Sequence, residues 1–512
     1  MAESLYQLLA ASAERYPDRT AVDFAGQRMT YRALREGADR MASLLAEFGA
    51  EPGRQVAFCF RKSIDALIAL FGIIRTGAAY VPLDPTWPAG RCAMICEDAG
   101  IALWVGAAAP PPPVRVQTAI TAAPAEGTVP LSAWRDSSPI SGEPPAPDGG
   151  VANVLFTSGS TGRPKGVRIT TRSLLHFSMW AVDAFGVCPD DRLANHAPYN
   201  FDLSTLDIFA AVRAGAAVVP VPERVKMFPF EMARYIAEQK ISVWYSVPSA
   251  LMMMQQRGKL AEHDMSALRH VIFAGEVMPK PALRAIARDL PGAALTNLYG
   301  PTETNACTYH RVTPEDLASD DAVPIGRPIS DTRVWIVDEA LRPVGGSESG
   351  AQGVSASAGE LLVAGPTVTA GYLGDAELTA GRLVPAPGGD GVAYRTGDRV
   401  RVRRDGALMF EGRIDRMIKS RGHRIEPGEI EAALAGHPGV QEAAVVALPD
   451  PVFGSRIKAC VAPRAGRTLT DAELIAHCRE RLPPYMVPDV WQYYERLPRT
   501  DREKVDLSLL SV

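Results

Sequence analysis

Residues 155–167 read Leu155-Phe-Thr-Ser-Gly-Ser-Thr-Gly-Arg-Pro-Lys-Gly-Val167 and follow the apolar run 151–156. Gly159 and Gly162 allow backbone shapes that a Cβ forbids, so successive N–H groups can converge on an anion. Thr157, Ser158, Ser160 and Thr161 add hydroxyl donors, and Lys165 adds a full charge. Such a turn suits a polyphosphate. It is not a Walker A loop, because Gly166 rather than Ser or Thr follows the lysine. A flexible polar turn is the plainer alternative, but the ordered succession of donors favours phosphate.

Three further blocks carry chemistry: Asn297-Leu-Tyr-Gly-Pro-Thr-Glu-Thr304, Tyr394-Arg-Thr-Gly-Asp398 and Gly412-Arg-Ile-Asp-Arg-Met-Ile-Lys-Ser-Arg-Gly-His-Arg-Ile-Glu426. With the glycine loop they resemble, in order, the signatures of the adenylate-forming superfamily, whose members make acyl-AMP from a carboxylic acid and ATP. The resemblance runs from about Thr30 to Asp506. It implies that Thr157, Ser158, Gly159, Ser160, Thr161, Gly162 and Lys165 hold the ATP phosphates. It also implies that Gly275, Glu276, Asn297, Tyr299 and Gly300 surround the nucleotide, with the Tyr299 ring against adenine. Asp398 would accept from the ribose hydroxyls and Arg413 would donate to the sugar.

Attack of a carboxylate on the α-phosphorus brings two anions together and needs cations and oriented donors. Glu303, with the Thr302 hydroxyl, resembles the family's Mg²⁺ site; Mg²⁺ keeps several waters, so one carboxylate suffices. Lys504, in Pro498-Arg-Thr-Asp-Arg-Glu-Lys-Val-Asp506, resembles the adenylation lysine that bridges the substrate carboxylate and the α-phosphate. The pattern departs from the family here, since Arg502-Glu503 stands where Asn-Gly is common. The plain roles of these residues would be surface acid, turn cap, core aromatic and solvated lysine.

The block Asn195-His-Ala-Pro-Tyr-Asn-Phe-Asp-Leu-Ser204 resembles the substrate side of amino-acid-activating members. An acid at Asp202 can pair with an α-ammonium group; an aryl or fatty acid would leave it buried and unpaired. A helix cap is its alternative role. Carried over residue by residue, the remaining pocket is Leu203, Leu206, Tyr245, Ile272, Ala274, Leu298, Ala306 and Cys307, without a second charge. The set is similar to that of free-standing prolyl ligases of pyrrole-forming secondary-metabolite biosynthesis, as is Val243-Trp-Tyr-Ser-Val-Pro-Ser-Ala250. L-Proline is therefore the expected substrate, with L-alanine next because Ile272 and Ala306 depart from that set. The sequence ends soon after Lys504 without a carrier module, so the expected partner is a separate phosphopantetheinylated carrier protein, acting in trans. In the family the small domain swivels about a residue matched by Asp415. That motion would bring Lys419 and Gly422 to the pantetheine channel. An acyl-CoA synthetase using CoA is the alternative. A non-catalytic carrier-binding protein fits poorly with Lys165, Glu303, Asp398 and Lys504 all present.

The elements that must position these residues alternate in type. Leu34, Ala38, Met41, Leu45 and Phe48 recur at helical spacing before Gly49; residues 55–60 read as a buried strand, 64–75 as a helix and 78–83 as another strand. This rhythm predicts an α/β fold of mainly parallel sheets with helices outside. Residues 107–150, with prolines at 110–113, read as a surface excursion, and 345–359 as a Gly/Ser-rich loop. A boundary near Asp415 divides an adenylation core, 1–414, from a small mobile α+β domain, 415–512. In the latter, Ile430, Ala433 and Leu434 form a helix face, 440–448 a strand, and Thr470 with Glu473 a capping box.

The chain has 512 residues, enough for several cores. A net charge of −4 points to neither nucleic acid nor an anionic membrane. Ser4 and Gln7 sit at capping-box spacing, so Met1-Ala-Glu-Ser-Leu-Tyr-Gln7 reads as a helix start rather than a signal peptide. No apolar run approaches the ~20 residues of a membrane span. Seven scattered cysteines without a C-x-x-C pair indicate a reducing cytoplasm, and Cys92 and Cys96 read as small buried residues.

Overall fold

In the computed structural model, residues 4–145, 150–159, 162–346, 358–450, 454–500 and 505–511 are described. The chain forms a large N-terminal domain and a smaller C-terminal one. Two sheets dominate the first. The nine-stranded sheet is parallel through its centre, with Val243–Ser246, His270–Phe273 and Ala294–Tyr299 side by side, and antiparallel only at its edges. The seven-stranded sheet is parallel except where Val151–Thr157 meets Lys165–Thr170. Strands such as Val243–Ser246 and His270–Phe273 are buried at every position, as expected where helices cover both faces of a parallel sheet.

The helices Tyr31–Glu47, Ile64–Thr76 and Leu203–Ala214 belong to one core cluster that reaches both sheets, joining Val22, Leu193 and Val218 to Val56, Phe58 and Leu155. Their ends follow local rules. Ser63 caps Ile64–Thr76 by accepting from Ala66 N–H, and Gly77 closes it at φ +78°. Ser4 and Gln7 form the expected capping box, as do Thr470 and Glu473.

The β-α-β rhythm does not extend over the whole N-terminal domain. A third, antiparallel sheet of six strands is built between residues 333 and 413. The 107–150 segment is not only an excursion: Thr118–Thr121 and Val129–Pro130 extend the edge of the seven-stranded sheet, and Leu131–Arg135 packs on Tyr31–Glu47. Ile120 and Leu131 are the apolar residues that tie it down. Of the 345–359 loop, residues 347–357 lie outside the described residues.

The smaller domain has its own core of Ile430, Leu434, Val445, Ile457 and Leu474. It consists of the Ile418–Ser420/His423–Ile425 hairpin, the helices Pro427–Ala435 and Asp471–Arg479, and a three-stranded sheet. No described helix is long and apolar enough to cross a membrane. All seven cysteines are free, and only Cys188 is exposed.

Gly72 lets the Tyr31–Glu47 and Ile64–Thr76 helices approach. A Cβ there would lie 2.5 Å from Met41 Cγ and 2.9 Å from Met41 Cβ. Gly72→Ala is expected to destabilise the N-terminal domain by about 1–3 kcal/mol through overpacking, despite alanine's better helix propensity. A lowered thermal midpoint checks this; an unchanged or raised one contradicts it.

Candidate active site

The glycine loop connects two antiparallel strands, Val151–Thr157 and Lys165–Thr170. Its turn depends on Gly159, where a Cβ would stand 1.9 Å from the Arg163 carbonyl oxygen, and on Gly162, at φ +84°. Ser160 and Thr161 lie outside the described residues. Thr157 lines the central cavity, and its buried Oγ1 has no hydrogen-bond partner among the described residues. Lys165 is mostly buried. Burial and the Arg424 guanidinium push its pKa down to about 8, against the pull of Glu303 and Glu426.

The strands Ala294–Tyr299 and Val392–Val402 deliver the nucleotide-side residues. Asp398 is buried; its carboxylate accepts from Arg413 at 2.7 Å and from the Tyr299 hydroxyl. Asn297 donates to the Pro324 carbonyl at 2.8 Å. Gly275, Glu276, Asn297, Tyr299, Phe410 and Lys419 line a slot adjoining the main cavity. Glu276 accepts from the N–H groups of Ser249 and Gly422. Lys419 Nζ sits 5.9 Å from the Tyr299 ring centroid, and burial pulls its pKa down.

Glu303, in the short turn Thr302–Thr304, is completely buried. It accepts from Arg424 Nη1 at 2.8 and 3.1 Å and from the Tyr372 hydroxyl at 2.7 Å. Burial alone would raise its pKa; Arg424, Lys165 and Tyr372 overcome this and hold it at about 2. Both carboxylate oxygens are therefore engaged. The expected Mg²⁺ site at Glu303 and Thr302 does not fit this arrangement, because a guanidinium occupies the space a cation would need. The described residues hold no cluster of three or more His, Cys, Asp or Glu able to bind a metal. Glu303 fits a cation only after Arg424 withdraws.

Asp202 lines the same cavity, as do Leu203, Tyr245, Ala274 and Ala306. It precedes the helix Leu203–Ala214 but does not cap it through its side chain. Burial raises its pKa, and a hydrogen bond from the Thr302 hydroxyl partly offsets the rise. Leu206, Ile272 and Cys307 are fully packed behind these residues rather than lining the cavity, and Leu298 faces the adjoining slot. Gly300 lines the junction of the two ends.

The small domain closes this cavity. Lys419, Gly422, His423 and Arg424 all line it. The His423 ring stacks on Tyr485 with centroids 3.6 Å apart and meets Phe201 edge-on at 4.9 Å. Asp415 lies between the strands Leu408–Arg413 and Ile418–Ser420 and accepts from Arg413 Nε at 2.8 Å. Lys504 lies outside the described residues. Sequence reasoning missed the partners of Glu303. Arg424 was inside a recognised block but had no assigned role, and Tyr372 carried no signal beyond its aromatic type.

The pattern of the AMP-binding enzyme family matches residues 9–373, and that of the AMP-binding enzyme C-terminal domain matches residues 429–504. The chain is 39% identical over 508 residues to the L-proline--[L-prolyl-carrier protein] ligase of Streptomyces coelicolor, covering 94% of this chain and 92% of that one. It is 37% identical over 513 residues to the L-proline--[L-prolyl-carrier protein] ligase of Pseudomonas fluorescens, covering 98% and 97%. Among solved structures, the amide bond synthetase McbA from Marinactinospora thermotolerans superposes with a TM-score of 0.87 at 26% identity, covering 99% of each chain.

The geometry of Gly159 makes one residue decisive. Gly159→Ala must displace the Arg163 carbonyl, so the loop loses its turn while the sheets behind it stay packed. The thermal shift induced by ATP is expected to disappear while the midpoint without nucleotide changes little. A full ATP-induced shift in the variant would contradict the assignment.

Proposed function

The chain belongs to the family of AMP-binding enzymes, and from that premise we propose that it activates a small apolar amino acid and transfers it to a carrier protein. L-Proline is the proposed substrate, with L-alanine its main rival. The amino acid and ATP give aminoacyl-AMP and pyrophosphate, and the phosphopantetheine thiol of a separate carrier protein then displaces AMP. The observation that carries the reading is Asp202, a half-buried carboxylate in the lining of the same cavity as Leu203, Tyr245, Ala274 and Ala306 and as Asp398 and Arg413. A carboxylate in such a lining calls for a cation, and the α-ammonium or prolyl nitrogen supplies one. Both prolyl-carrier ligases named above support this choice.

In this reading the loop from Thr157 to Lys165 holds the triphosphate, Tyr299 packs beside the base, and Asp398 and Arg413 hold the ribose. Lys504 brings the carboxylate and the α-phosphate together. Mg²⁺ would bind at Glu303 and Thr302 while Arg424 is withdrawn, neutralising phosphate charge. The boundary lies at 414/415, and rotation about Asp415 exchanges Lys504 for the segment 419–423. Lys419 and Gly422 line the cavity, which supports assigning the described arrangement to the transfer step.

Pyrophosphate exchange with proline, alanine, glycine, serine and valine tests the substrate. Proline is expected to give the highest kcat/KM. An apolar pocket separates substrates differing by one methylene by only ~1–3 kcal/mol, so its small neighbours should react measurably but more slowly. If alanine wins, the pocket assignment fails; if free CoA or an aryl acid alone supports turnover, the carrier-ligase reading fails.

Asp202→Asn removes the charge and keeps the shape. Truncating one member of a buried charge pair costs about 2–5 kcal/mol, so amino-acid affinity should fall by that amount while ATP affinity holds. Equal amino-acid affinity in both proteins would refute the pairing.

A further inference from the structure

Within the large domain a lysine, an asparagine and an aspartate are buried together: Lys62, Asn195 and Asp207. Lys62 lies between the strand Gln55–Cys59 of the seven-stranded sheet and the helix Ile64–Thr76. Asn195 ends the strand Arg192–Asn195 of the nine-stranded sheet, and Asp207 stands in the helix Leu203–Ala214. Lys62 Nζ donates to Asn195 Oδ1 and, at 2.6 Å, to the Ala197 carbonyl. The ammonium also lies 3.9 Å from the Tyr199 ring centroid. Asn195 Nδ2 donates to Asp207 Oδ2 at 3.3 Å, and Asp207 Oδ1 has no hydrogen-bond partner among the described residues.

One amide thus stands between an ammonium and a carboxylate. It fits in one orientation, because turning it over would set its carbonyl against the carboxylate and its N–H group against the ammonium. Burial pushes the Asp207 carboxyl well above the ordinary carboxylate range, and the Lys62 charge resists that rise. Burial, helped by Lys226, pulls the Lys62 ammonium well down, and Asp207 resists in turn. None of the three is among the residues lining the cavity, yet the segment they hold leads into it. Lys62 pins that segment at the Asn195 side chain and again at the Ala197 carbonyl. Phe201, Asp202 and Leu203 follow, and all three line the cavity. The backbone between is a tight turn, in which Phe201 N–H donates to the Pro198 carbonyl at 3.0 Å. The Ser204 and Thr205 hydroxyls then donate to the Phe201 and Asp202 carbonyls at 2.7 and 2.6 Å. A turn so bonded has little slack, so a shift at Ala197 is passed on to Asp202.

We propose that Lys62, Asn195 and Asp207 are positioning residues for amino-acid recognition: they fix the 195–203 segment and, through it, the places of the Asp202 carboxylate and the Leu203 side chain. This rests on the reading of Asp202 given above and adds the layer that holds it. Asp207 keeps the ammonium charged in a buried site, the ammonium holds Asn195 and Ala197, and the turn carries that constraint to the cavity wall. Loss of the Lys62 charge leaves Asp207 as an uncompensated buried anion and releases both anchor points at once.

Lys62→Met keeps the apolar stem and removes the ammonium. In pyrophosphate exchange with L-proline, its KM for the amino acid should rise roughly 10- to 100-fold, the scale set by a ~1 Å misplacement. Its KM for ATP and its kcat at saturating proline should stay at the wild-type values. The thermal midpoint should fall, because Asp207 is left unpaired. The double variant Lys62→Met with Asp207→Leu removes that anion, so it should regain the midpoint without regaining the KM, since nothing then holds Asn195 and Ala197. A purely structural role predicts that midpoint and KM recover together. That result overturns the proposal, as does a wild-type proline KM in Lys62→Met; if the single variant does not fold, the double variant decides alone. Amide hydrogen exchange of the full chain gives a readout without substrate: residues 196–205 should exchange faster in the double variant than in the wild type, and unchanged exchange there refutes the clamp. Asp202→Asn separates this inference from the proposed function. If it leaves amino-acid affinity intact, the pairing at Asp202 fails; if it weakens that affinity and Lys62→Met does not, the positioning role alone fails.

Discussion

One ion pair, Glu303 with Arg424, sits where both domains and both ends of the cavity meet. It is wholly buried on the Glu303 side and crosses the domain boundary. Removing one partner of such a pair costs about 3–5 kcal/mol, because the other is left charged in a low-dielectric site. Glu303 therefore cannot stay vacant: it must hold either a guanidinium or another cation. The first belongs to the docked small domain, and the second is what a metal-bound phosphate chain would bring. The pair thereby ties the small domain to the large one through one carboxylate. Tyr372 and Tyr394 extend the pair into a hydroxyl network, with Tyr372 bonding Glu303 and lying 3.2 Å from the Tyr394 hydroxyl.

The fold serves this junction by carrying rigid strand ends to it. Tyr299 ends one strand of the nine-stranded sheet, Thr157 ends one strand of the seven-stranded sheet, and Asp398 sits on the antiparallel sheet. Residues from strands of all three sheets line the cavity or the slot beside it. Side chains on strand ends are held by the packed sheet behind them, which gives finer positioning than a mobile loop can offer. The phosphate loop is the exception, and there Gly159 fixes the backbone through the contact a Cβ would forbid.

The sequence made the cast of residues legible and left their partnerships hidden. The block around Thr157 could be read from its glycines, hydroxyls and lysine, whereas those around Tyr299, Asp398 and Lys419 were legible through their resemblance to the signatures of the adenylate-forming superfamily. Arg424 and Glu303 are 121 residues apart, and nothing in a single sequence couples positions at that separation. Leu206, Ile272 and Cys307 were expected at the cavity wall; they are fully buried and are not among its lining residues, and their apolar type is suited to either place. The parallel sheets were legible from β-α-β alternation. The 333–413 sheet was not, because its strands follow one another without intervening long helices and so break that rhythm.

The cavity is lined by charges of both signs. Lys419, Arg413 and Arg424 line the cavity together with the carboxylates of Asp202 and Asp398. Burial and the nearby Glu303 charge raise the Asp202 pKa, and backbone N–H groups at the start of the Leu203–Ala214 helix and the Thr302 hydroxyl relieve it; Thr302 belongs to the same short turn as Glu303. A cation entering at Asp202 and one entering at Glu303 are therefore linked through adjacent residues of one backbone segment. In the docked state Arg424 already satisfies Glu303, and Asp202 alone still asks for a positive charge. An amino acid supplies one positive charge at its nitrogen. In the proposed function, Asp202 would hold such a substrate by its nitrogen, and Leu203, Tyr245, Ala274 and Ala306 would discriminate its side chain by size.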